Sequence, residues 1–358
     1  MSVVAKHLSP PFRGRLHGAA RAVLAFGLTV GAAVGLLGLS ASSRAAAATS
    51  LTVLMGDDSA AHSEFVQQLR ASQEPGGRFE LVRLSPTGEM PQTIETAGAE
   101  PEPRANAGVR TRSMRPSSDA GLTMAVGAAA ARAAVERPGQ EPLVLAMLSR
   151  LDYEALKAGS PALKRGDRRV GVLLRDPAMA DQLALIGAVL PQKHRIGVVA
   201  TPESEPLVRE LQRAAQGANP AWDVRVEYAP DARSLAAALR TVVPQSDALM
   251  VLPDLIGDNQ AATLSVLRAG ASAGLAVFGA SEGLVRSGGL AAAVSTPSQL
   301  AQQARLLGQK VAVAGSSNSP LVEAATPATV RVNATVARGL GLRLPEEREL
   351  TDRLAAPR

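Results

Sequence analysis

Four times along this chain of 358 residues a short apolar run ends in a small polar loop, and a helical pattern follows. The four are LTVLMG-DDSA (Leu51 to Ala60), RIGVVA-TPES (Arg195 to Ser204), ALMVL-PDLIGDN (Ala248 to Asn259) and LAVFG-ASEG (Leu275 to Gly283). Strand, polar turn and helix in repetition is the pattern of a parallel sheet, because each new parallel strand needs a crossover and a helix satisfies its own backbone on the way. The same pattern says where a ligand sits. In open parallel sheets the loops at the carboxyl ends of the strands converge on one crevice.

Further apolar runs complete an α/β reading. Phe79 to Leu84, Leu122 to Val126, Leu143 to Leu148, Arg169 to Leu174, Leu290 to Val294 and Thr329 to Val332 read as strands. Trp222 to Tyr228 alternates strictly, which predicts a strand nearer an edge with one solvated face. Ser59, Asp231 and Asp258 stand where helix caps belong, and Asp176-Pro177 reads as a cap followed by proline at the first helical position. Residues 86–118 break the pattern with Pro, Gly, Glu and Arg, and are expected to be a disordered insertion with too little apolar surface to offset ordering. The length suits two domains. The expected partition is a leader at 1–48, a first lobe of 49–175 plus 297–315, and a second lobe of 176–296 plus 316–358.

The leader rests on its own pattern. Lys6, Arg13, Arg15 and Arg21 precede an apolar run from Ala22 to Leu39, and a small-residue stretch from Ser40 to Ala48 follows. That is the plan of a cleavable secretory signal, with an uncleaved membrane anchor as the alternative. Residues 1–48 hold five basic residues and no acidic one, so the remainder carries a formal +1, the +6 of the whole less those five. A basic surface for nucleic acid is therefore not expected. The chain has no cysteine, which excludes disulfides, thiolate zinc sites and thiol catalysis.

Catalytic patterns are scarce. Gly270 to Gly274 spells G-x-S-x-G around Ser272, but a helix runs into it and a strand leaves it, the reverse of what a serine nucleophile needs. After the leader only His62 and His194 remain, and neither has a second ligand at metal spacing. No Walker loop or dinucleotide fingerprint occurs outside the leader, and no cofactor or metal is expected. What remains is a binding surface. Asp57, Asp58 and Ser59, then Thr201, Glu203 and Ser204, then Asp254, then Ser281 and Glu282 all follow apolar strands. Each alone is a good helix cap, and their shared placement is what points to a small polar ligand.

The segment from Asp181 to Pro345 carries a resemblance. Its "QLALIGAVLPQKHRIGVVATPES", "DALMVLPDLIGDNQA", "LAVFGASEGLVRSGGLAAAVS" and "VRVNATVARGLGLRLPEE" follow one another as the corresponding motifs do in substrate-binding components of ABC importers. The branch it resembles includes tryptophan- and tyrosine-type binders. The resemblance implies a type 1 periplasmic-binding fold, two Rossmann-like lobes joined by three crossing segments. It implies a ligand in the cleft, a membrane permease as partner, a periplasmic monomer and no catalysis. It places Asp254, Ser281, Glu282 and Thr201 to Ser204 in the family's ligand loops, and adds Gly127 and Ala128. Two positions depart from the family's pattern. Ala128 stands where a hydroxyl residue is usual, and Leu174, Arg175 and Asp176 replace a Thr-Gly-Val-Ser type loop. Both changes remove polar contacts and leave the ligand's class open. The readings kept beside this one are a binding module for a sensor or outer-membrane partner, and an exported α/β enzyme.

Overall fold

Leu51, Val53 and Met55 face one side of strand β1 (Leu51–Met55) and Leu54 faces the other, each side buried under its own layer of helices. This two-sided burial is why the strands read as continuous apolar runs rather than alternating ones. The computed structural model describes residues 50–73, 76–84, 93–97, 121–314, 319–326 and 329–355. The expected leader lies outside the described residues. Among them, no helix is long and apolar enough to cross a membrane.

The elements of the first half run β1, α1 (Ala60–Ala71), β2 (Phe79–Arg83), β3 (Thr93–Ala97), β4 (Leu122–Val126), α2 (Ala128–Glu136), β5 (Leu143–Leu148), α3 (Arg150–Gly159), α4 (Ala162–Arg165) and β6 (Val170–Pro177). There follow α5 (Met179–Val189), β7 (Arg195–Ala200), α6 (Glu205–Gly217), β8 (Asp223–Tyr228), α7 (Ala232–Val242), β9 (Ala248–Val251), α8 (Gln260–Ala273), β10 (Ala276–Gly279), α9 (Glu282–Arg286) and β11 (Ala291–Val294). The chain ends in α10 (Pro297–Val313), β12 (Leu321–Ala325), β13 (Thr329–Val332), α11 (Ala334–Gly339) and α12 (Glu347–Ala355).

Two sheets result, ordered β12-β6-β5-β4-β1-β2-β3 and β13-β11-β10-β9-β7-β8. All neighbours pair in parallel except β2 with β3 and β11 with β13. Each sheet therefore reverses its winding once, between β1 and β4 in the first and between β7 and β9 in the second. The first sheet is covered by α1 and α10 on one face and by α2, α3 and α4 on the other. The second lies between α5, α6 and α12 and the pair α7 and α8. This is the expected α/β architecture of two Rossmann-like lobes, and β8 takes the expected edge place.

Four local expectations are corrected. Thr93–Ala97, inside the stretch expected to be disordered, forms β3 by antiparallel pairing with β2, where its β-branched residues suit an edge strand. The rest of 86–118 lies outside the described residues. Leu321–Ala325, assigned above to the second lobe, pairs with β6 and extends the first sheet, so the last crossing follows Ala325. Pro177 stays in β6 because it sits opposite Ala325, and Ala178, with no side-chain cap, starts α5 instead of Asp176. Asn259 rather than Asp258 caps α8, accepting from the Ala262 N–H at 3.0 Å. Ser59 and Asp231 cap as expected, Asp231 within a capping box with Ser234.

Candidate ligand-binding site

The two points where the winding reverses hold most of the residues singled out from the sequence. Over the first, Asp57 Oδ1 lies 2.7 Å from His62 Nδ1 and accepts the Ser59 N–H at 3.1 Å. Burial pushes the Asp57 carboxyl up, but the Ser59 donors and His62 outweigh it and hold the group below its ordinary value. Asp58 pairs with Arg83, and Ser59 caps α1; all three are exposed. Gly127 faces them from the end of β4 with φ +83°, and a Cβ there would lie 2.6 Å from His62 Cε1. Only glycine takes this backbone shape beside that ring without strain. Ala128 opens α2 and offers no hydroxyl.

At the second reversal the loops meet but close on themselves. Thr201 Oγ1 lies 2.9 Å from Ser204 Oγ, and the Ser204 hydroxyl donates to Asp254 Oδ2. Asp254 Oδ1 accepts the N–H groups of Ile256 and Gly257 at 2.9 and 3.0 Å. Asp254 is 1% exposed and Ser204 is fully buried. Burial raises the Asp254 carboxyl, and the Ser204 hydroxyl and these N–H groups pull it back. A buried acid with such donors is a turn fastener, because it satisfies the backbone N–H groups that would otherwise be orphaned. Gly257 completes the turn, since a Cβ there would strike the Leu252 carbonyl oxygen. Glu203 is exposed on the adjacent 3₁₀ turn.

The open hollow lies one strand further along, beyond the carboxyl ends of β9 and β10. It encloses about 430 Å³ and takes its lining from both lobes. Arg175 and Asp176 come from the end of β6; Gly257 and Asp258 come from the loop before α8; Ser281 comes from the start of α9. Val251, Leu252, Leu264 and Leu284 supply an apolar wall. Arg175 reaches 3.9 Å from Asp258 across the gap and 3.8 Å from Asp176 on its own strand. Asp176 Oδ2 is buried with no hydrogen-bond partner. Its carboxyl is pushed up to about 6, chiefly by burial and further by Asp258 and Asp152, while Arg175 and the Arg150 backbone N–H pull it down.

Of the residues expected at the site, only Ser281 lines this hollow, and its side chain accepts the Leu284 N–H at 3.1 Å. Glu282 turns outward to Arg286 and Arg331 at 3.0 and 3.1 Å. The residues that sequence reasoning did not assign to the site are Arg175, Asp176 and Asp258. A signal was present: two adjacent charges close the buried strand VGVLL, where a structural role offers them no partner in the sheet.

The lobes also touch outside the hollow. Arg150 of α3 donates to Glu210 of α6 at 3.0 and 2.9 Å. The Ser295 hydroxyl, on one crossing segment, donates to the Thr326 carbonyl on another at 2.6 Å.

The same two-sheet fold occurs in solved structures. The chain is similar to a conserved domain protein from Vibrio cholerae O1 biovar El Tor, at 18% identity and a TM-score of 0.51, over 86% of this chain and 98% of that one. It is similar to an ABC domain from Streptococcus pneumonia solved in complex with L-Trp, at 16% identity and a TM-score of 0.50, over 83% and 96%. It is also similar to the ligand-free, open form of CD0873, a substrate binding protein with adhesive properties from Clostridium difficile, at 16% identity and a TM-score of 0.58, over 83% and 96%. At these identities the likeness is one of fold. No curated protein matches the chain. The family model for ABC transporter substrate binding proteins, however, matches residues 118–350, a span that takes in the second reversal point, the β4 side of the first and every residue lining the hollow. On that match the chain belongs to the ABC transporter substrate-binding protein family.

Proposed function

We propose that this protein is the solute-binding component of an ABC-type importer, holding a small molecule between its lobes and handing it to a membrane permease. The observation that carries the reading is the hollow of about 430 Å³ lined from both sheets, with Arg175 and Asp176 on one side and Asp258 and Ser281 on the other. A site shared between lobes is one that hinge closure completes, so binding and closure become one event that a permease can read. Family membership supports the same reading. The N-terminal pattern of residues 1–48 supports export to the periplasm. Protein sequencing of the exported chain should find a new N-terminus close to Ala46 to Ala48.

A thermal-shift screen across amino acids, sugars, purines, amines and carboxylates tests the binding role. One chemical class should raise Tm in proportion to the logarithm of its concentration, as mass action requires, and remain chemically unchanged on incubation. No shift with any class, or conversion of the bound compound to product, would overturn the reading.

A further inference from the structure

The polar groups of the hollow are unevenly committed. The Ser281 side chain accepts from the α9 backbone, and the Thr263 hydroxyl donates to the carbonyls of Ile256 and Gly257 at 3.0 and 3.2 Å. Neither hydroxyl is idle. Arg175 stands between two carboxylates at 3.8 and 3.9 Å, too far for a direct hydrogen bond to either. Arg175 is 40% exposed and keeps its donors for water, so the uncommitted group shut away from water is an acceptor. Asp176 Oδ2 is shut away from water and receives no donor. Two carboxylates against one guanidinium leave a net charge of −1 on the polar end, and the opposite wall is apolar.

We propose that the hollow selects a small amphipathic cation, with a protonated primary amine hydrogen-bonded to Asp176 and an apolar body against Val251, Leu264 and Leu284. The inference rests on the solute-binding reading above and adds the ligand's chemistry to it. An ammonium donor neutralises the polar end, and a turn of the Asp176 carboxyl about its Cβ–Cγ bond presents the orphaned oxygen to it. Because that oxygen has already lost its water, a donor arriving there gains more than it would at a solvated carboxylate. A ligand carboxylate in the same place would meet two like charges. The groups facing Asp176 are Arg175 on its own strand, Asp152 and the Arg150 N–H from α3, and Asp258 from across the gap. Burial, which outweighs Arg175 and is aided by the two acids, favours protonation of Asp176 when the hollow is empty, and an arriving cation favours its ionisation. Binding the cation near pH 6 therefore expels a fraction of a proton.

Calorimetric titration of the full chain with hexylamine, hexanol and hexanoate separates the possibilities, because the three share a body and differ in the head group. Hexylamine should bind at least about tenfold more tightly than hexanol, the worth of one charge-assisted hydrogen bond, and hexanoate more weakly than either. Asp176→Asn should remove about that factor for hexylamine and leave hexanol unchanged. At pH 6 the enthalpy for hexylamine should vary with the buffer's ionisation heat, a readout of proton release that needs no variant to fold. Hexylamine no tighter than hexanol, including no binding by either, would overturn the proposal, as would tightest binding by hexanoate. In both cases the solute-binding reading stands if another class raises Tm in the screen, so the two failures are distinguishable.

Discussion

Asp176 and Asp254 are both acids raised by burial, but they do different things. Asp254 ties down a turn with its donors supplied; Asp176 lines a hollow with an oxygen unmet. A raised carboxyl costs stability when it ionises. Between the ordinary value near 4 and about 6, folded Asp176 keeps a proton that the unfolded chain has released, so stability falls as pH rises through that window. Its share reaches about 3 kcal/mol by pH 7. Asp247 works in the opposite sense, since the Arg195 guanidinium holds it at about 2 and its contribution is lost as pH falls from about 4. Urea denaturation should therefore show Asp176→Asn gaining on the unmodified chain between pH 4.5 and 7.5; parallel curves would refute the burial of that charge. These roles were only half legible in the sequence. That Thr201, Ser204 and Asp254 belong together follows from their shared place just after apolar strands. That they spend their hydrogen bonds on one another depends on distances no spacing encodes.

At the scale of elements, the strands with two buried faces were plain to read, because Leu143–Leu148 or Ala248–Val251 have no alternative but a sheet interior. The two edge strands of the first sheet, β3 and β12, were not. Their residues, TIETA and LVEAA, carry little apolar signal, and it is the neighbouring strand that makes them strands. Caps adjacent to a clear helix were legible, as at Ser59 and Asp231; the shift from Asp258 to Asn259 is a one-residue error of the kind helix ends invite. Contacts between helices of different lobes left no trace in the pattern at all. The Arg150–Glu210 pair is such a contact, with side chains only 22% and 19% exposed. Glu210 also accepts the Met179 N–H at 3.4 Å. Glu210→Gln should keep that second bond and lose the charge, lowering stability by about 2 kcal/mol in denaturant titration with the circular dichroism spectrum unchanged. An unaltered midpoint would show that water already serves both ends.

On the scale of the whole molecule, three crossings join two sheets, and two of them are lashed together by Ser295 and Thr326. Gln303 of α10 brackets the same place, donating to the Ala324 carbonyl at 2.8 Å and accepting the Thr326 N–H at 3.0 Å. A hinge closure of the lobes would have to bend at these crossings and break or bend the Arg150–Glu210 contact. The strand β12 has a further consequence. It seals the outer edge of β6, yet the ribosome delivers it only after the entire second sheet apart from β13. Until then the nascent first lobe presents a row of unanswered peptide groups along Val170–Pro177, the kind of template on which chains stick to one another. A version stopped at Pro320 should accumulate as insoluble material at concentrations where the complete chain stays in solution, and sedimentation of the two would reveal it. On that outcome, a late strand of this polypeptide would be what keeps its early sheet from sticking to its neighbours.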